Sequence, residues 1–177
     1  MGIKTRIVTY LFVGGTAVLA ASPALMDFLG RWEGQGQYVV YADKLAGGLP
    51  TVCKGITKHT SPYPVIIGER WSPEKCREVE EKVVLDTQMA LRGCITRPVP
   101  QGVFDALTSH AHNFGWPKTC GSDAAKAINR GDLRTGCERL AYGPDGRPVW
   151  AYVGTRYVQG LHNRRKAERE ICLAALN

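Results

Sequence analysis

The sequence predicts a mostly helical α+β fold with its strands near the front of the chain, and three observations carry that prediction. From residue 73 onward, long segments repeat apolar residues at helical spacing. Between Tyr38 and Cys53 the chain is rich in β-branched and aromatic residues around a Gly47-Gly48 turn. Ahead of both, Ile7 to Met26 is a run of twenty residues without a charge. The chain has 177 residues, enough for one compact domain with a real core plus an appendage.

Along the body, Leu25 to Trp32 reads as a helix, with Leu25, Phe28, Leu29 and Trp32 on one face and Gly34 as its stop. Tyr38 to Tyr41 and Thr51 to Cys53 read as the two arms of a hairpin. Residues 57 to 71 form a loop, broken by Pro62 and Pro64, with at most a short strand at Val65 to Ile67. Ser72-Pro73-Glu74 then starts a long helix that runs toward Gly93: a capping serine, a proline at the first helical position, an early acid. Pro98 to Gln101 opens a helix that stripes Phe104, Leu107, Ala111 and Phe114, and Ser122 caps a shorter one that Gly131 ends. The closing helix, LHNRRKAEREICLAAL, places Ala167, Ile171 and Ala174 on a small apolar stripe.

Hydrophobic residues make up 44% and charged residues 22%, which excludes disorder and low complexity. The net charge is +7, and setting aside residues 1–28 still leaves 21 basic against 15 acidic residues. A basic body attracts polyanions, whether nucleic acid, an anionic membrane or an anionic cell wall. Six cysteines, Cys53, Cys76, Cys94, Cys120, Cys137 and Cys172, contain no C-x-x-C pair. Three disulfides in an oxidising compartment fit that pattern better than a zinc site. His110 and His112 stand two apart on a predicted helix, point to different faces and make a poor metal pair.

The charge-free run is long enough to span a bilayer, and Lys4 and Arg6 before it orient the body outward. Gly14, Gly15, Thr9, Thr16, Ser22, Pro23 and four alanines make it a weak anchor. Three fates are open: removal as a signal peptide, with small residues around Val18-Leu19-Ala20; a permanent anchor; or insertion followed by release of the intact segment.

Three stretches, in order, resemble the phage-type lysozymes of glycoside hydrolase family 24. WEGQGQYVVYADKLAGGLPTVCKG is similar to the family's Glu-Gly, Tyr-x-Asp and Gly-x-x-Thr-x-x-x-Gly pattern. PVPQGVFDALTSHAHNFG resembles its proline-led helix ending in Asn-x-Gly, and GLHNRRKAEREIC its Gly-Leu-x-x-Arg-Arg-x-x-Glu segment. The start of the chain also resembles signal-arrest-release endolysins, which are held at the inner membrane until it is depolarised. The resemblance implies a lysozyme-like fold, with a β-hairpin lobe, a linking helix and a helical C-terminal lobe. Residues 1–28 would be the release segment and residues 29–177 the catalytic domain.

By the same resemblance Glu33 is the general acid, Asp43 the second carboxylate and Thr51 the residue that helps hold the attacking water. Arg164 matches the arginine that pairs with the glutamate. A glycosidic oxygen leaves poorly, so one protonated carboxyl must donate while an ionised one activates water or supports the oxocarbenium-like state. The two must keep different protonation states at one pH. A helix C-terminus disfavours ionisation and would raise the pKa of Glu33, while Asp43 sits on a wetter β turn. Asp43 and Thr51 are eight residues apart, a longer hairpin than the family's.

The implied activity is hydrolysis of the β-1,4 bonds between N-acetylmuramic acid and N-acetylglucosamine in peptidoglycan, an inverting reaction that lyses the host. It needs no cofactor or metal. The chain is expected to be a monomer at the inner membrane through residues 7–26, then in the periplasm, with no nucleic-acid partner. For the cysteines the expected pairs are Cys53 with Cys76, Cys120 with Cys137 and Cys94 with Cys172. Two rivals remain: an exported zinc amidase, which would need a ligand cluster, and a non-enzymatic wall- or membrane-binding protein, which would need only the basic body and the apolar segment.

Overall fold

In the computed structural model, which describes residues 9–32, 36–44 and 47–177, the chain divides into two compact units. One is Met26–Asp86; the other joins the described residues up to Leu25 with Thr87–Asn177.

The first surprise is the apolar start. Two short strands, β1 (Tyr10–Val13) and β2 (Thr16–Leu19), pair antiparallel with Val13 opposite Thr16. Gly14 and Gly15 form the two-residue turn between them, at φ 57° and 95°. Positive φ at both central residues is the requirement of a tight hairpin whose twist matches its strands. Leu11, Val13 and Val18 face inward and are buried, while Tyr10 and Phe12 face out. Among the described residues no helix is long and apolar enough to cross a membrane.

α1 (Pro23–Trp32) follows, then the three-stranded sheet of the smaller unit, β3 (Gln37–Asp43), β4 (Leu49–Cys53) and β5 (Ile56–Thr57), in that order and all antiparallel. Val40, Val52 and Ile56 bury one face of this sheet against Val65, Trp71, Cys76 and Val79. Residues 65–67 belong to a loop, as expected, and form no strand; Val65 joins the core from that loop, and Gly68 donates to the Val40 carbonyl. α2 (Pro73–Leu91) starts as its sequence predicts, with the Ser72 hydroxyl accepting from Lys75 N–H.

In the larger unit, α3 (Gln101–Phe114) is the central helix and is buried from Val103 to Ala111. α4 (Trp116–Cys120), α5 (Asp123–Asn129), α6 (Leu133–Glu138) and α7 (Gln159–Ala174) surround it, with a small hairpin of β6 (Tyr152–Val153) and β7 (Arg156–Tyr157) before α7. Ser122 caps α5 as expected, accepting from Ala125 N–H, and Gly131 follows it at φ 89°. α3 and α7 touch so closely at Gly102 that a Cβ there would lie 2.8 Å from the Ala175 Cβ.

Three disulfides form: Cys53–Cys76, Cys94–Cys120 and Cys137–Cys172. The first agrees with expectation. The other two correct it, because α4 and α6 had not been anticipated. α4 follows directly on α3 and delivers Cys120 to Cys94, and α6 packs on α7 and delivers Cys137 to Cys172.

Candidate active site

The register of the β3–β4 hairpin brings two of the expected residues together. Tyr41 stands opposite Thr51, and Asp43 opposite Leu49. Residues opposite one another, or two apart on a strand, point to the same face. Tyr41, Asp43, Leu49 and Thr51 therefore share one face, away from the Val40 and Val52 core, and Thr57 on β5 extends it beside Thr51. The longer hairpin is absorbed at its tip, where Gly47 and Gly48 adopt left-handed conformations and Gly48 N–H closes on the Asp43 carbonyl at 2.7 Å.

Thr51 is buried at 3% exposure, and its hydroxyl donates to the Leu49 carbonyl at 2.9 Å. With its proton so committed, the oxygen keeps its lone pairs as acceptors, the polarity needed to hold a water by one of its hydrogens. Asp43 is half-buried at the end of β3. Two residues beyond Thr51, Cys53 takes φ 54° and bonds to Cys76 in the first turn of α2, which fixes the end of β4. Glu33 lies outside the described residues, directly after α1.

Arg164 is not on a solvated basic face. Both Arg164 and Arg165 are buried, at 7% and 0% exposure, around the fully buried Glu168. The Glu168 Oε1 accepts from Arg165 at 2.6 Å, from the Ser109 hydroxyl at 2.6 Å and from Arg164 Nε at 3.4 Å. Arg164 also donates to the Ser109 carbonyl, and Arg165 to Asn113 Oδ1. Burial raises the Glu168 carboxyl against the pull of Arg165, and lowers Arg165 to about 10. The network adds a charged tie between α7 and α3 to the apolar contact that Ile171 of the expected stripe makes at Gly102.

His110 is fully buried beside it, edge-on to Trp150 at 4.7 Å. Its Nδ1 lies 2.8 Å from the Thr119 hydroxyl, which also reaches the Gly115 carbonyl at 3.2 Å. Desolvation, with Arg165 and Arg164 nearby, holds its pKa well below the ordinary histidine value and keeps it neutral. Among the described residues no group of three or more His, Cys, Asp or Glu is placed to hold a metal. A cavity of about 290 Å³ between Lys118, Arg139, Tyr142 and Trp150 involves none of the expected site residues.

The larger unit also holds a polar clasp that sequence reasoning missed. Gln101 grips Leu19 at both backbone groups, accepting its N–H at 2.6 Å and donating to its carbonyl at 3.1 Å. The Gln88 side chain accepts from Ala21 N–H, and the Ser22 hydroxyl donates to Asp105 at 2.7 Å. Gln101 further donates to the other Asp105 oxygen at 2.8 Å. At the hairpin tip Gly14 presses on Arg97, so closely that a Cβ would fall 2.0 Å from that carbonyl. No local motif marks Gln88, Gln101 or Asp105; each reads as an ordinary polar position on a predicted helix.

The architecture is that of a lysozyme: a solved P22 lysozyme mutant, 24% identical, superposes with a TM-score of 0.72 over 86% of this chain and 97% of its own. The endolysin from Escherichia coli O157:H7 phage FAHEc1 gives 0.68 at 26% identity, over 86% of this chain and 92% of its own. The chain belongs to the phage lysozyme family, whose model matches residues 30–168. Among curated relatives, the SAR-endolysin of Enterobacteria phage P21 is 29% identical over 162 residues, covering 91% of this chain and 90% of that protein.

Proposed function

We propose that this chain is an exported muramidase that hydrolyses the β-1,4 bonds between N-acetylmuramic acid and N-acetylglucosamine in peptidoglycan and so lyses the host cell. Residues 29–177 are its catalytic domain. The single observation that carries the reading is the shared hairpin face of Asp43 and Thr51, within a chain of the phage lysozyme family. Glu33 donates a proton to the departing glycosidic oxygen. Asp43 takes a proton from the attacking water, and Thr51, whose own proton goes to Leu49, accepts the water's other hydrogen. Arg164 serves the glutamate as a positioning cation. The test is digestion of purified peptidoglycan by the full chain: Glu33→Gln and Asp43→Asn each lose at least about a hundredfold in kcat, the usual scale for removing a catalytic acid or base. Activity within a few-fold of wild type for either would overturn its assignment.

The N-terminal segment, residues 1–28, first holds the protein at the inner membrane and is then released rather than cut away. A relative is itself described as a SAR-endolysin. The further support is that Leu11, Val13 and Val18 lie in the core of the larger unit, and that the clasp engages Leu19, Ala21 and Ser22. Cleavage near Ala20 would strip Leu11, Val13, Val18 and Leu19 from the folded enzyme. The mature N-terminus of active periplasmic protein decides it: Met1 or Gly2 supports release, and a terminus beyond Ala20 refutes it.

A further inference from the structure

We propose that the β6–β7 hairpin and the first turn of α7 form a second glycan-binding site, a platform on which Tyr152 and Tyr157 receive an aminosugar ring of a peptidoglycan strand. The inference rests on the muramidase reading for its choice of ligand, though not for its geometry.

The hairpin turns tightly through Gly154 and Thr155, with Val153 opposite Arg156 and Tyr152 opposite Tyr157. Direct opposition puts both tyrosines on one face, and both are exposed, at 44% and 40%. Their ring centroids are 5.6 Å apart and the planes meet at 67°, so they form an open corner rather than a flat plate. A pyranose packs the apolar C–H face of its ring on one aromatic face while the second ring walls its edge. Aromatic rings supply such contact area at low entropic cost, having only two side-chain torsions to fix.

Here the torsions of Tyr157 are held in advance. The Tyr157 hydroxyl lies 2.7 Å from His162 Nδ1 and donates to Gln159 Oε1 at 3.3 Å. His162 is itself buried and packs edge-on between Tyr157, at 5.8 Å, and Tyr142, at 5.4 Å. One member of the solvent-facing pair is thus backed by an aromatic ladder reaching into the unit, and less ordering of that ring remains to be done on binding.

The polar groups alongside fit a sugar. Gln159 donates to Asn163 Oδ1 at 2.8 Å, which lines up two exposed planar amides one helical turn apart beside the tyrosines. Together they offer donors and acceptors of the kind that match hydroxyl and acetamido groups. From Ala151 to Asn163 the sole formally charged side chain is Arg156, and no carboxylate occurs. That balance suits a strand bearing scattered carboxylates. A lipid surface calls for a cluster of cations, and a protein partner for a far larger apolar area.

The probe is a β-1,4-linked N-acetylglucosamine hexasaccharide, titrated calorimetrically into the full-length Asp43→Asn chain. Two molecules bind per chain, falling to one when Tyr152→Ala is added and returning to two with Tyr152→Phe, which keeps the ring. In the otherwise wild-type chain acting on whole sacculi, Tyr152→Ala raises KM about three- to tenfold, the scale of one aromatic contact. Circular dichroism confirms that each variant is folded. A stoichiometry and KM indifferent to Tyr152 overturn the proposal, and so does loss of binding to phosphatidylglycerol vesicles in place of loss of the hexasaccharide. The muramidase reading fails on a different result: a wild-type chain that binds the hexasaccharide through Tyr152 yet leaves purified peptidoglycan uncut.

Discussion

Replacing Gly14 and Gly15 one at a time with alanine separates the two demands that the N-terminal hairpin makes on its turn. Both glycines have positive φ, so either alanine incurs left-handed strain of about 1–2 kcal/mol. Only Gly14 also meets the body: its added Cβ would fall 2.0 Å from the carbonyl carbon and oxygen of Arg97 and 2.6 Å from Pro98 N, all backbone atoms. Gly15 has nothing within 4 Å. To relieve the Gly14 overlap the tip must lift, and Val13, at 0% exposure, loses burial worth roughly 1.5–3 kcal/mol. Gly14→Ala should therefore cost about 2.5–5 kcal/mol and Gly15→Ala about 1–2 kcal/mol by the same estimates. The assay is urea unfolding of the purified full chain, supported by limited proteolysis of residues 9–22. Both changes add one methyl to the same turn, so a difference between them cannot come from the apolarity of the added group. Equal costs would refute the claim that the hairpin is seated on Arg97.

Asp105 is buried and accepts from Ser22 and Gln101, and desolvation raises its pKa above the ordinary carboxylate value. The folded chain then holds this proton more tightly than the unfolded one, so its stabilising effect is complete below about pH 4 and is lost as pH rises through the raised value, with a slope of at most about 1.4 kcal/mol per pH unit. Asp105→Asn should flatten that part of the stability profile; an unchanged slope would count against it. Glu168→Gln leaves two buried guanidiniums without their shared carboxylate and should cost about 3–5 kcal/mol in thermal unfolding, where a loss under 1 kcal/mol would show the network to be dispensable. Removing both Cys137 and Cys172 opens a loop of 35 residues and should cost about 3–4 kcal/mol, and non-reducing peptide mapping should find Cys94 joined to Cys120. A Cys94–Cys172 peptide would refute the pairing.

The elements that announced themselves in the sequence were those with punctuation. Ser72, Pro100 and Ser122 mark helix starts, and Gly47-Gly48 marks the tip of the hairpin that carries Asp43 and Thr51. The N-terminal hairpin was hidden because its outward residues, Tyr10 and Phe12, are as apolar as the inward Leu11 and Val13. Without polar alternation a strand has no period-two signal, and Gly14-Gly15 read as a dilution of a membrane segment. α7 was legible as a helix but not in its facing. An amphipathic reading puts carbon inside, whereas here Arg164, Arg165 and Glu168 go in as a mutually paired group, with Ser109 supplied from 55 residues away from Arg164. The cysteine pairs turned on α4 and α6, short helices with little periodicity of their own.

Numbered along the chain, the cysteines join first to second, third to fourth and fifth to sixth. A chain that reaches an oxidising compartment N-terminus first presents them in that same order. Each odd-numbered thiol has as its correct partner the very next one to arrive, 23, 26 or 35 residues later. An oxidant that simply couples whatever thiols are newly exposed therefore makes the native set, and no wrongly joined pair has to be undone by an isomerase. The connectivity suits a chain that is oxidised as it emerges, one cysteine pair at a time.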